Sequence, residues 1–129
     1  MIVVDSSVFI EVWRATSLRA PELESLLVTH RGSLCITSII RAELLVGALN
    51  AKELDRIERT FRRLTILPLS PRTVELFDEW ILSFAVSHRP KIADLLIAAT
   101  CVAHGAELLT LNTRDFRYLP GLKLVEPVG

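Results

Sequence analysis

At 129 residues the chain has room for one domain, here taken as 1–129, with a core that buries roughly two thirds of the unfolded surface. Half of the residues are hydrophobic and 23% are charged, a balance that excludes a disordered or fibrous chain. Net charge is zero, so no overall positive field marks a nucleic-acid binder, although a local patch is enough to make one. The cations are 12 arginines and 3 lysines, and a guanidinium fork suits phosphate oxygens; genome composition explains the same bias. Cys35 and Cys101 lie in apolar stretches without a CxxC, which reads as core packing in a reduced, cytoplasmic protein. The longest apolar or small run, Leu95–Ala103, is far shorter than the roughly 18 residues a membrane span needs.

In chain order, Ile2–Val4 is a short β-branched strand, and Ser6 or Ser7 can cap a helix running to about Arg14. Pro21 opens a second helix that ends near His30, with Gly32 as its stop. Leu34–Ile36 forms the next strand, and Thr37 or Ser38 caps the helix SIIRAELLVGALN. A more polar helix spans about Ala51 to Arg63, and Leu64–Leu67 is a third strand. Ser70 and Pro71 supply the cap and first turn of a long helix toward Ser87. Pro90 starts PKIADLLIAATCVAHG, with Gly105 as a left-handed stop. Glu107–Leu111 and Leu122–Val125 complete four to five short strands. This alternation predicts an α/β fold in three layers, a mainly parallel sheet between helices, with ligands beyond the strands' carboxyl ends.

Four carboxylates interrupt apolar stretches: Asp5 in IVVDSS, Glu43 in IIRAELLVGAL, Asp94 in KIADLLIAA and Asp115 in TLNTRDF. Taken singly, Asp5 reads as a helix cap, Asp94 as an anion in a helix's first turn, and Asp115 as part of a turn. Glu43 has Ile39, Ile40 and Gly47 on its own helix face, unlike a solvated face. Together the four predict a common site at the ligand-binding edge, where like charges resist ionising side by side. A hard divalent cation, Mg²⁺ or Mn²⁺, removes that conflict, and such a centre suits phosphodiester hydrolysis.

The pieces IVVDSSVFIE, SIIRAELLVG, ADLLIAATCVAHGAELLT and TLNTRDF, in that order, resemble the PIN-domain nucleases, most closely the VapC toxins of bacterial toxin–antitoxin pairs. The resemblance covers essentially the whole chain. It implies a metal-dependent endoribonuclease with Asp5, Glu43 and Asp94 at the three core acidic positions and Ser6 orienting the first carboxylate. Relatives place a fourth acid either where this chain has Asn112 or at the later Asp115. Asp115 is therefore the expected fourth acid, with Thr110 and Asn112 as supporting polar groups; the number of metal ions, one or two, stays open. The resemblance further implies a structured RNA substrate such as a tRNA or ribosomal RNA loop, a homodimer, and a VapB-like antitoxin that inserts a basic side chain. A housekeeping RNA-processing nuclease without an antitoxin and a non-catalytic RNA- or partner-binding module are the alternatives.

Arg56, Arg59, Arg62 and Arg63 recur at helical spacing, either as a solvated face with Asp55 and Glu58 or as an RNA-steering patch that Arg14 and Arg41 join. His30, His88 and His104 lie near helix ends and read as capping or surface residues; as an acid–base pair they would leave a 2′,3′-cyclic phosphate instead. Ser7 occupies the place where a haloacid-dehalogenase-type phosphatase needs a second Asp, and Asp5 lacks the adjacent acid of a phosphoreceiver domain. No GxxxxGK[ST] or GxGxxG is present.

Overall fold

The computed structural model describes residues 1–14 and 16–125. Five strands, β1 (Ile2–Val4), β2 (Leu34–Thr37), β3 (Thr65–Leu67), β4 (Glu107–Leu109) and β5 (Leu124–Val125), form one parallel sheet in the order β3-β2-β1-β4-β5. The helices are α1 (Ser6–Trp13), α2 (Ala20–Thr29), α3 (Ser38–Val46), α4 (Ala51–Phe61), α5 (Pro71–Phe84) and α6 (Ile92–His104). Every residue of β1 is buried, and so are Cys35, Ile36 and Thr37 of β2. Because successive side chains point to opposite faces, such strands require cover on both sides, and helices supply it. The expected α/β architecture is the observed one.

The elements form where local chemistry places them. Thr37 caps α3 by accepting from the Ile40 N–H at 3.1 Å, and Ser70 and Thr73 cap α5 reciprocally. Gly105 ends α6 at φ 67°, the left-handed stop expected of it. Differences fall mostly at element ends. Helix α1 is capped by Asp5 rather than by either serine. Helix α3 stops at Val46, because Gly47 closes it, and does not run on to Asn50. Strand β4 ends at Leu109, which leaves Thr110 and Leu111 free to form the site rather than the ladder. Gly32 sits in a short 3-10 turn, Arg31–Ser33, after α2 has already ended at His30.

Phe9 meets Phe61 edge-on at 5.3 Å, joining α1 to α4, and Trp80 of α5 is buried. Helix α5 packs along α6, while α3 touches α1, α4 and α6. Cys35 and Cys101 are free and buried, as core residues should be. Among the described residues, no helix is long and apolar enough to cross a membrane.

Candidate active site

The strand order reverses at β1. From β1 the chain moves outward through β2 to β3, then returns to place β4 on the other side of β1. A crevice opens at the carboxyl ends of strands where such a reversal occurs. Val4 pairs with Leu109, and the Asp5 N–H donates to the Leu109 carbonyl at 2.9 Å, so Asp5 and Thr110 emerge side by side at that point.

Asp5 is 4% exposed, and its carboxylate is held by donors on both oxygens. Oδ1 accepts from the Ser6 N–H at 2.9 Å, which is the cap of α1. Oδ2 accepts from the Ser7 hydroxyl at 3.0 Å and the Thr110 hydroxyl at 2.7 Å. Each hydroxyl is itself oriented by a backbone donor. The Leu111 N–H donates to Ser7 Oγ at 3.2 Å, and the Asn112 N–H donates to Thr110 Oγ1 at 3.0 Å. With those acceptor sites occupied, both hydroxyl protons are turned toward Asp5, and the relays polarise one another. The loop after β4 thus grips the carboxylate that follows β1.

Asp94, in the first turn of α6, is half-buried. Burial, then the negative charges of Asp5 and Asp115, push its carboxyl up to about 6, against the opposing charge of Lys91. Glu43 on α3 is raised in the same way, first by lost hydration and then by Asp5 and Asp94. Asp115 ends a 3-10 turn, Thr113–Asp115, and lines a cavity together with Asp94. The four acids therefore act on one another as a single electrostatic unit, drawn from four separate places in the chain.

Their environments differ from the simplest expectation in two respects. Glu43 is exposed, because Ile40 and Leu44 are the residues of α3 that reach the core, and the acid stands to one side of them. Ser6 serves Asp5 through its backbone N–H, while the side-chain role falls to Ser7. In the sequence Ser7 stands as a candidate helix cap and as the residue that excludes a phosphatase. Its signal was present, since a hydroxyl two residues past a strand-end Asp returns to that carboxylate in the first turn of a helix. Asn112 contributes its backbone N–H and makes no side-chain cap of the following turn.

Among the described residues no three His, Cys, Asp or Glu side chains form a ready-made metal cage. The donor set, all carboxylate oxygens with two members resisting ionisation, suits a hard divalent ion that keeps several waters and takes one or two carboxylates directly. Asp5 is the hydrogen-bonded member of that set, and Glu43, Asp94 and Asp115 are linked to it or to one another through their charges.

The arginines divide. Arg59 pairs with Asp55 at 2.6 Å within α4, Arg62 at the end of α4 pairs with Glu58 at 2.8 Å, and Arg14 lies 3.8 Å from Glu11. Arg56, Arg59 and Arg63 line an open groove along α4, separate from the cavity that holds Asp94 and Asp115. The cations in that acidic cavity are Arg89, Lys91 and Arg114. His104 Nε2 lies 3.0 Å from the Pro68 carbonyl, and His30 ends α2, so both occupy structural positions.

A parallel sheet with acids gathered around its switch point defines an α/β protein with a carboxylate centre. Within that class the chain belongs to the PIN domain family, which it matches over residues 2–122. It is 31% identical over 140 residues to Ribonuclease VapC1 of Rickettsia felis, covering 96% of this chain and 94% of that one. The fold superposes on VapBC-1 from nontypeable Haemophilus influenzae with a TM-score of 0.83 at 21% identity, over 98% of each chain. FitAcB from Neisseria gonorrhoeae gives 0.80 at 25% identity, again over 98% of each chain. The resemblance to PIN-domain proteins of the VapC type is thereby shown.

Proposed function

We propose that this protein is a divalent-metal-dependent endoribonuclease, the toxin of a VapBC-type pair, cutting an RNA loop such as one in tRNA or ribosomal RNA. The observation that carries this reading is the buried Asp5 carboxylate, fixed by three donors and facing the charges of Glu43 and Asp94. The relative named Ribonuclease VapC1 and the solved VapBC-1 support the same class of activity and partner.

Asp5, Glu43, Asp94 and Asp115 would hold one or two Mg²⁺ or Mn²⁺ ions. Bound there, such an ion supplies charge neutralisation at the phosphate and lowers the pKa of an attacking water. The chain's own contribution is positional. Ser7 and Thr110 keep Asp5 Oδ2 in one place, and the Leu111 and Asn112 N–H groups keep those hydroxyls aimed. Water attacks phosphorus in line, the bond from phosphorus to O3′ breaks, and O3′ takes up a proton. The products carry a 5′-phosphate and a 3′-hydroxyl, with no covalent enzyme intermediate.

Large apolar side chains stand exposed at Val46 and Leu49, at the end of α3 and after it, and at Leu82 and Val86, on α5 and after it, which supports a homodimer and an antitoxin-binding surface. A basic antitoxin side chain would complement the acids. An RNA substrate of this kind would be met in the cytoplasm. The test is induction of the wild type beside Asp5→Asn and Asp94→Asn, with sequencing of 5′-phosphate RNA ends. Wild type alone should slow growth and create new ends. Equal growth and no new ends in all three, or cyclic-phosphate products formed in EDTA, would sink the reading.

A further inference from the structure

Beside the acids lies a cavity of about 360 Å³, large enough for a small ligand, which Asp94 shares with His88, Tyr118, Arg89, Lys91 and Arg114. The His88 and Tyr118 rings are stacked, 3.9 Å apart and 15° from parallel. Phe84 meets both edge-on, at 5.4 and 5.0 Å, and Ser87 Oγ lies 2.8 Å from His88 Nδ1. Two rings and a hydroxyl thus hold the imidazole in place, while His88 itself remains exposed. Phe84 and Tyr118 are packed against the hydrophobic core, whereas His88 adds an exposed ring on top of them at the cavity, a position that core packing does not explain. Arg89 follows directly, with φ at 44°, a left-handed backbone that a side-chain-bearing residue seldom adopts and that concentrates at functional sites. Among the described residues, Arg89, Lys91 and Arg114 form no ion pair, whereas Arg59 and Arg62 are engaged by carboxylates of their own helix.

We propose that this cavity is a nucleotide subsite of the active centre: a base of the RNA strand stacks on the open face of His88, and Arg89, Lys91 and Arg114 pair with the adjoining phosphates. The assignment rests on the ribonuclease reading and specifies how the strand is seated there. A stacked ring accepts any base, so the subsite contributes affinity and register rather than sequence choice. The cations set beside the acids counter the repulsion that a phosphate chain would meet from Asp94 and Asp115. His88 here is a positioning residue whose plane matters and whose proton does not.

The experiment is fluorescence anisotropy at low salt in EDTA, with a labelled oligoadenylate and a ribose-phosphate oligomer of equal length without bases. Wild type should bind the base-bearing strand more tightly. His88→Ala should weaken that binding about tenfold, leave the abasic strand unchanged, and be rescued by His88→Phe. Arg89→Gln and Arg114→Gln should weaken both strands alike and reduce each salt slope by about 0.7 per cation. Equal wild-type affinity for the two strands, an equal effect of His88→Ala on both, or failure of the Phe rescue would overturn the subsite. Cleavage does not enter this readout. Loss of stacking in a protein that still cuts RNA would defeat the subsite alone; intact stacking in a protein that never cuts would defeat the ribonuclease reading alone.

Discussion

At Asp5 the two carboxylate oxygens have separate tasks. Oδ1 caps α1, and Oδ2 is held by Ser7 and Thr110, so the choice between cap and site wall was never exclusive. Ten residues of mostly apolar chain could announce an aspartate at a strand end, but the second hydroxyl comes from 105 positions away. Thr110 is fully buried, and valine matches its shape without the hydroxyl. Thr110→Val should therefore cost about 2 kcal/mol of stability, the usual worth of a hydrogen bond to a charged group, and lower cleavage further by loosening Asp5. Urea unfolding and a cleavage assay test this together. Unchanged stability would mean that a water replaces the hydroxyl. Ser7→Ala should cost less, because Ser7 is only half-buried.

At the scale of elements, α6 decides where Asp94 stands. Its first turn brings the acid to the sheet edge, while the buried stretch Ile97–Cys101 anchors the helix on the core. Those features are readable in KIADLLIAATCVAHG, as is the glycine that ends it. Gly105 at φ 67° has open space where a Cβ would go, so an alanine there meets backbone strain alone. Gly105→Ala should cost about 1 kcal/mol, or about 4 °C in melting temperature, with the acids left in place and cleavage intact. A melting temperature equal to wild type would contradict the left-handed stop. Helix α3 shows the limit of such reading. The apolar neighbours of Glu43 placed it on the core face, yet a helix presents a continuous range of directions, and Ile40 and Leu44 took the core. Pattern fixes which stripe is buried only to within about one residue of its edge.

For the whole molecule the burial and gathering of these carboxylates have a thermodynamic consequence. Asp94 titrates near 6 when folded against 3.8 as its ordinary value, so between those limits the folded state binds the extra proton. That contribution to stability is complete below about pH 4, falls as pH rises through 6, and is then absent; Glu43 acts in the same direction. In EDTA, Asp94→Asn should melt above wild type at pH 7, and the difference should vanish toward pH 4. Added Mg²⁺ should raise the wild-type melting temperature more at pH 7 than at pH 5, because the cation competes with the same proton. No advantage for Asp94→Asn at pH 7 would show that neither burial nor the neighbouring acids penalise the Asp94 carboxylate.

By itself the sequence determined the alternation of strands and helices, because hydrophobic period, caps and glycine stops are written within ten or so residues of where they act. It also determined which acids are out of place in apolar surroundings, and the order of motifs that marks a PIN domain. The tertiary structure alone decided that Ser7 and Thr110 share one oxygen of Asp5, and that Glu43 lies at the exposed edge of the buried stripe of α3, its carboxyl only partly desolvated. It also decided that Arg89, Lys91 and Arg114, rather than the arginines of α4, share a cavity with Asp94 and Asp115. The reason is range. Local chemistry sets each element, whereas the strand reversal at β1 sets which element ends become neighbours, and the site is built from those ends.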